Sequence, residues 1–191
     1  MLPEYAQLYR MNNDLVGWIR LPGTKLNYPV MQTPDAPDYY LKRNFQKESN
    51  SHGCIYIKES CDVFAPSDNL TLYGHYMKNG SMFAPLGEYR DKAYWEKNSV
   101  LEFDTLRQRG TYEIFSVFIT SASVGKGFSY HTFVDAADEA DFNLFIQNCK
   151  ELSLYDTGIT PEYGDKLITL STCDYSRVNG RLVVVARLIT E

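Results

Sequence analysis

The stretch KLITLSTCDYSRVNGRLVVVARL, Lys166 to Leu188, holds two strand-like runs around a polar loop, with Cys173 ending the first and Arg181 opening the second. Side chains alternate faces along a strand, so Thr169, Ser171 and Cys173 share one face and Ile168, Leu170 and Thr172 share the other. On the second run Arg181, Val183 and Val185 lie opposite Leu182, Val184, Ala186 and Leu188. With the loop centred on Arg177, Cys173 lies directly across from Arg181. Opposed residues point to the same side of a sheet, about 5 Å apart at the backbone. The register therefore predicts thiol and guanidinium side by side, unless a bulge intervenes.

A neighbouring cation favours the thiolate, which is the nucleophilic form of cysteine. Arginine keeps its proton at ordinary pH, so its work would be to hold an oxyanion or orient a substrate backbone. Acyl transfer through cysteine also needs a proton carrier, usually histidine. The chain has three histidines. His52 (SNSHG) and His131 (GFSYHTF) read as surface loop, whereas His75 ends a strand just after Gly74, where its ring can lean over a sheet face. The bland reading stands beside this one: a strand-end cysteine near an arginine is also what packing beside a solvated charge looks like. The other cysteines are Cys54, Cys61 and Cys149, and their spacing fits neither a CxxC pair nor a zinc site. Cys149 falls on the apolar face of a helix and reads as core. Cys54 and Cys61 could bridge in an oxidising compartment or remain free.

These residues need a scaffold. A chain of 191 residues is one domain in size, residues 1–191 reading as a single unit. Fifteen tyrosines favour a sheet-rich fold with an aromatic-lined groove. The net charge of -5 and the lack of any basic run argue against nucleic acid or anionic membrane as the main partner. No apolar run approaches a membrane span, and MLPEYAQLYR has no apolar signal-peptide region, which taken alone suits the cytoplasm.

A helix is expected over about residues 1–13. VGWIRL and KLNYPVM read as strands joined at Pro22-Gly23-Thr24, SHGCIYIK as a turn into a strand with Gly53 as punctuation, and NLTLYGH, VLEFDT and TYEIFSVFITSAS as further strands. APDYYLKRNF, MFAPLGEY and AYWEKN suggest short helical turns. Asp135 is placed to cap a long helix ending at Ser153, with Phe142, Phe145, Ile146 and Cys149 at i, i+3, i+4 and i+7. Seven or eight strands without regular helices between them predict a mainly β fold with helices (α+β), a mostly antiparallel barrel or sandwich, not a doubly wound sheet.

TLSTC (Thr169 to Cys173) followed by Arg181 resembles the TLxTC…R signature of sortases, the cysteine transpeptidases of Gram-positive cell surfaces. LYGHYMKNGSMF (Leu72 to Phe83) resembles the class B histidine motif, and NNDLVGWIRLPGTKLNYPVMQ with DYYLKRNF the class B N-terminal region. The resemblance runs over nearly the whole chain. It implies a closed eight-stranded sortase barrel with an N-terminal helical part, the long helix before the cysteine strand favouring class B. It further implies Cys173 as nucleophile, His75 as proton donor and acceptor, and Arg181 as oxyanion stabiliser, with Tyr73, Ser171 and Asp174 lining a substrate groove by position. No metal or cofactor is implied.

The implied substrate is an NPxTN-like C-terminal sorting signal of a secreted protein. The implied acceptor is a cell-wall precursor amine (peptidoglycan or lipid II) or, in pilus-building relatives, a pilin lysine. The implied place is the outer face of the membrane, reached through an N-terminal anchor beyond this sequence, and a monomer is expected. Two rivals remain: a papain-like cysteine hydrolase, whose cysteine commonly opens a helix instead of ending a strand, and a binding module that keeps the barrel without the chemistry.

Overall fold

The computed structural model describes residues 1–123, 125–176 and 178–189. Its eight strands are β1 (Leu15–Arg20), β2 (Asn27–Met31), β3 (Ile55–Ile57), β4 (Asn69–Tyr73), β5 (Val100–Thr105), β6 (Thr111–Ser121), β7 (Leu167–Asp174) and β8 (Gly180–Leu188). They close into a barrel in the order β1-β2-β3-β4-β7-β8-β6-β5, as expected for the α+β barrel. Six of the eight pairings are antiparallel; β2–β3 and β4–β7 run parallel. The β4–β7 pairing matters most, because it sets the end of the histidine strand beside the end of the cysteine strand.

The expected N-terminal helix is a 3-10 turn, Pro3–Tyr5, running into α1 (Ala6–Met11). It stops at Asn12, whose amide donates to the Tyr40 hydroxyl and the Phe45 carbonyl at 2.7 and 2.8 Å, while its Oδ1 accepts the Asp14 N–H. A short α2 (Lys92–Trp95) follows a 3-10 segment, Ala84–Arg90. The long helix is α3 (Glu139–Leu152), and here the expected cap is corrected. Asp138, not Asp135, is the N-cap, accepting the Asp141 N–H at 2.9 Å. Asp135 instead accepts the backbone N–H of Asp68 at 3.0 Å, tying the segment before α3 to the start of β4. Two aspartates stood within one turn, and the second won because it sits directly ahead of the amides left free at the helix start.

The barrel interior is filled by Ile19, Val30, Ile55, Leu72, Ile168, Leu170, Val184 and Ala186 among others. A second cluster lies on the outer wall, where Phe142, Phe145, Ile146 and Cys149 of α3 cover Phe118, Val183 and Val185. Each such large side chain contributes about 1.5–3 kcal/mol of burial. The hairpin β7–β8 is thus buried on both faces along most of its length, and it opens at its ends, with Cys173 and Arg181 half-buried at the loop and Arg187 and Leu188 half-buried at the other. Arg177, the expected centre of that loop, lies outside the described residues.

Candidate active site

The expected register holds without a bulge: Cys173 pairs with Arg181, and Ser171 with Val183. Because β6 lies on the other side of β8, Thr120 extends the first row to Cys173–Arg181–Thr120. The row behind it is Tyr73–Ser171–Val183–Phe118, spanning β4, β7, β8 and β6. Both rows face the outer wall of the barrel. Cys173 is half-buried, whereas Cys54, Cys61 and Cys149 are buried, and all four are free thiols. Burial alone pushes the Cys54 thiol up to about 11 and raises Cys149 further; it also raises Cys61. Cys173 is the thiol that substrate can reach.

Arg181 turns its guanidinium onto the loop carbonyls, donating from Nη1 to Gly180 O at 2.9 Å. Among the described residues no carboxylate pairs with it, so donors remain for a developing oxyanion. The strand expected to end on His75 stops at Tyr73, so His75 stands two residues beyond β4, and its backbone is held from two sides. Gly74 N–H donates to Ser171 O at 3.2 Å, Thr172 Oγ1 donates to Gly74 O at 2.7 Å, and Phe83 N–H donates to His75 O at 2.9 Å. The imidazole Nε2 lies 2.7 Å from Leu41 O. A carbonyl only accepts, so Nε2 carries a proton and Nδ1 is the nitrogen that can take and give one. Of the other two histidines, His52 is half-buried in a loop and His131 is exposed in a 3-10 turn.

Ser171 and Tyr73 stand opposite each other in the row behind Cys173. Tyr73 packs against Tyr56 with ring centroids 5.5 Å apart. Ser171 is buried, and its hydroxyl lies 2.6 Å from that of Tyr130, a residue the sequence reading passed over. Tyr130 sits in a 3-10 turn, Tyr130–Thr132, braced by Phe118 and Phe128. Burial raises its phenol and the Arg181 charge opposes that, which puts it within electrostatic reach of the Cys173 row. The signal was present in GFSYHTF: three aromatics in seven residues of an apparent loop indicate a segment that packs.

Asp174 does not line the groove. As the next residue along the strand it points to the opposite face, and its side chain is 0% exposed. Its carboxylate accepts from the Arg90 guanidinium and from the backbone N–H and hydroxyl of Ser176. Burial pushes its pKa up, but these donors outweigh that and hold the group below the usual carboxylate range.

Comparison with known proteins gives the same answer as the geometry. The Sortase domain family model matches residues 19–189. Sortase B of Staphylococcus aureus (strain NCTC 8325 / PS 47) is 32% identical over 189 residues, covering 98% of this chain and 75% of the relative. The Staphylococcus aureus sortase B–substrate complex superposes with a TM-score of 0.89 at 32% identity, covering 98% of this chain and 85% of that one. A sortase B complexed with triglycine superposes at 0.88 and 32% identity, covering 98% and 86%. A strand-end cysteine beside an arginine, on an eight-stranded barrel shared across its length with such relatives, leaves no room for a helix-borne papain-type nucleophile: the chain belongs to the sortase family and is a cysteine transpeptidase of the sortase B type.

Proposed function

We propose that this enzyme cleaves an NPxTN-like C-terminal sorting signal after its Thr and transfers the upstream protein to a cell-wall amine. Cys173 passes its thiol proton to Nδ1 of His75 and attacks the Thr carbonyl as the thiolate, and the tetrahedral oxyanion is held by the Arg181 guanidinium. As the C–N bond breaks, His75 gives its Nδ1 proton to the leaving amine and a thioacyl enzyme remains. The acceptor amine then attacks that thioester, His75 takes the proton, and the thiolate leaves. Tyr73 and Ser171 floor the groove that orients the peptide. The observation that carries this reading is the pairing of a half-exposed Cys173 with Arg181, beside a strand whose exit carries His75 two residues on.

The substrate complex of the Staphylococcus aureus relative supports a peptide in this groove, and the triglycine complex of a sortase B supports an amine acceptor. A cell-wall precursor at the outer face of the membrane supplies that amine. Anchoring there falls to an N-terminal segment beyond this sequence, a reading that rests on the family resemblance. No helix among the described residues is long and apolar enough to cross a membrane.

Mass spectrometry of the protein with NPQTN- and LPxTG-type peptides, with and without triglycine, tests the reading. The expected result is cleavage of the first peptide after Thr, a thioacyl adduct on Cys173 and diversion of product to the amine. Cys173→Ala should abolish all three without a large change in thermal stability. Turnover in that variant, or a Cys173 inert to alkylation in the wild type, would refute it.

A further inference from the structure

Arg90 closes the 3-10 segment Ala84–Arg90, 83 residues before Cys173 in the chain. The segment is rigidly seated. Leu86 and Tyr89 are fully buried in the barrel core, the Tyr89 hydroxyl donates to Asn98 O at 2.7 Å, and the Tyr155 hydroxyl donates to Tyr89 O at 2.8 Å. From this base the Arg90 guanidinium reaches Asp174 Oδ2. The other oxygen of Asp174 accepts both donors of Ser176, so a single carboxylate joins the end of β7, the turn beyond it and the 3-10 segment.

The same segment also receives the histidine loop. Tyr76, the residue after His75, lays its ring over Gly87, where a Cβ would stand 2.6 Å from the Tyr76 hydroxyl. That ring therefore rests on the same 3-10 segment that carries Arg90. Tyr76 meets Tyr175 edge-on with centroids 6.1 Å apart. Tyr175 follows Asp174, which follows Cys173. Arg90 therefore stands where the loop of the proton carrier and the strand of the nucleophile converge, while touching neither reacting side chain.

We propose that Arg90 is a positioning residue for the transfer reaction. Held on a fixed segment that also seats the Tyr76 ring at Gly87, it binds Asp174 and so sets Cys173 and His75 in register. The inference rests on the reading of those two residues as the reacting pair. The physical demand is steep, since a misplacement of about 1 Å at a reacting centre can cost about a hundredfold in rate. An ion pair at this place supplies direction as well as charge, because the planar guanidinium fixes the carboxylate plane.

Removing Arg90 alone would strand the Asp174 charge in the interior and could unfold the strand end. The deciding variants are therefore Arg90→Lys and the pair Arg90→Met with Asp174→Asn, which leaves no unpaired charge. Steady-state kinetics of peptide transfer, the pH–rate profile, thermal unfolding and the alkylation rate of Cys173 are read for each. The double variant is expected to lose kcat by roughly 30- to 100-fold. Its KM should stay within about twofold, with the protein folded, Cys173 still alkylated and the kcat profile displaced along the pH axis. Arg90→Lys should recover part of kcat, since the charge returns without the fork. A double variant with wild-type kcat, or one whose loss merely follows its folded fraction, overturns the inference. The Cys173→Ala control separates the two ideas: turnover there would sink the catalytic assignment itself, whereas a dead Cys173→Ala beside an unimpaired double variant sinks only the role of Arg90.

Discussion

Arg181 is the residue whose chemistry is most open to a single substitution. Its Nη1 is spent on Gly180 O, which fixes the head group at the mouth of the hairpin, while no carboxylate among the described residues takes its other N–H donors. A lysine there would keep the charge, yet three rotatable donors on a point charge cannot bond the loop carbonyl and an oxyanion with the same fixed geometry. Arg181→Lys is expected to lower kcat by about 10²- to 10³-fold, the usual cost of one lost oxyanion donor. Single-turnover peptide cleavage measures this, and a rate within about threefold of wild type would make Arg181 a structural residue. The pairing behind the prediction was legible because strand alternation and loop length fix a hairpin register locally. The place of Asp174 was less legible. Alternation alone turns it away from Cys173, but its partner Arg90 is 84 residues distant and nothing local announces it.

At the level of elements, the orientation of His75 depends on a turn that carries no catalytic residue. Leu41 supplies the carbonyl that accepts from Nε2, and Leu41 belongs to a 3-10 turn, Tyr39–Lys42. That turn is pressed against Gly53, which has φ +60° and whose absent Cβ would lie 2.5 Å from Leu41 O and 2.6 Å from Tyr40 O. Cys54 N–H donates to Tyr40 O at 3.0 Å and closes the contact. Gly53→Ala would put a methyl group against both carbonyls in a backbone region costly for any other residue. The expected outcome is a loss of about 1–3 kcal/mol of stability, together with a fall in kcat as His75 loses its fixed acceptor. Thermal unfolding reads the first and nitrogen-15 NMR of the His75 ring the second. An unaltered Nε2–H signal in this variant would show that Leu41 does not set the tautomer. The sequence marked Gly53 as punctuation and APDYYLKRNF as a short helical patch, but their meeting at His75 depends on packing between segments, which no local pattern encodes. The parallel pairings β2–β3 and β4–β7 were hidden for the same reason.

Across the whole molecule, the closing seam of the barrel and the chemistry lie on opposite sides. In the closed order, the β1–β5 seam is across the barrel from β4, β7 and β8. The N-terminal segment straps that seam: Leu2 N–H donates to Leu106 O at 2.7 Å, Tyr5 stacks on Trp18 at 6.0 Å, and Glu4 pairs with Arg109 at 2.9 Å. At its centre the buried Asp104 accepts from the Tyr5 hydroxyl at 2.6 Å and from Arg20 Nη2 at 2.5 Å, while Arg20 Nε donates to Glu102 at 2.9 Å. Arg20→Met would leave the Asp104 charge buried with no cation to answer it, only the Tyr5 phenol and a long bond from the Gly110 N–H at 3.4 Å. Breaking a buried pair in this way costs about 3–5 kcal/mol, and the partial exposure of Arg20 brings the expected loss down to about 2–3 kcal/mol. Adding Asp104→Asn should return much of that loss, because no buried charge then remains. Since the seam holds no group of the proposed mechanism, kcat per folded molecule should stay at the wild-type value in both variants. Urea unfolding paired with active-site titration of Cys173 separates the two quantities. A fall in kcat at constant folded fraction would mean that strain at the seam travels through the sheet to the cysteine strand, and that the barrel does not insulate its reacting edge from its closure.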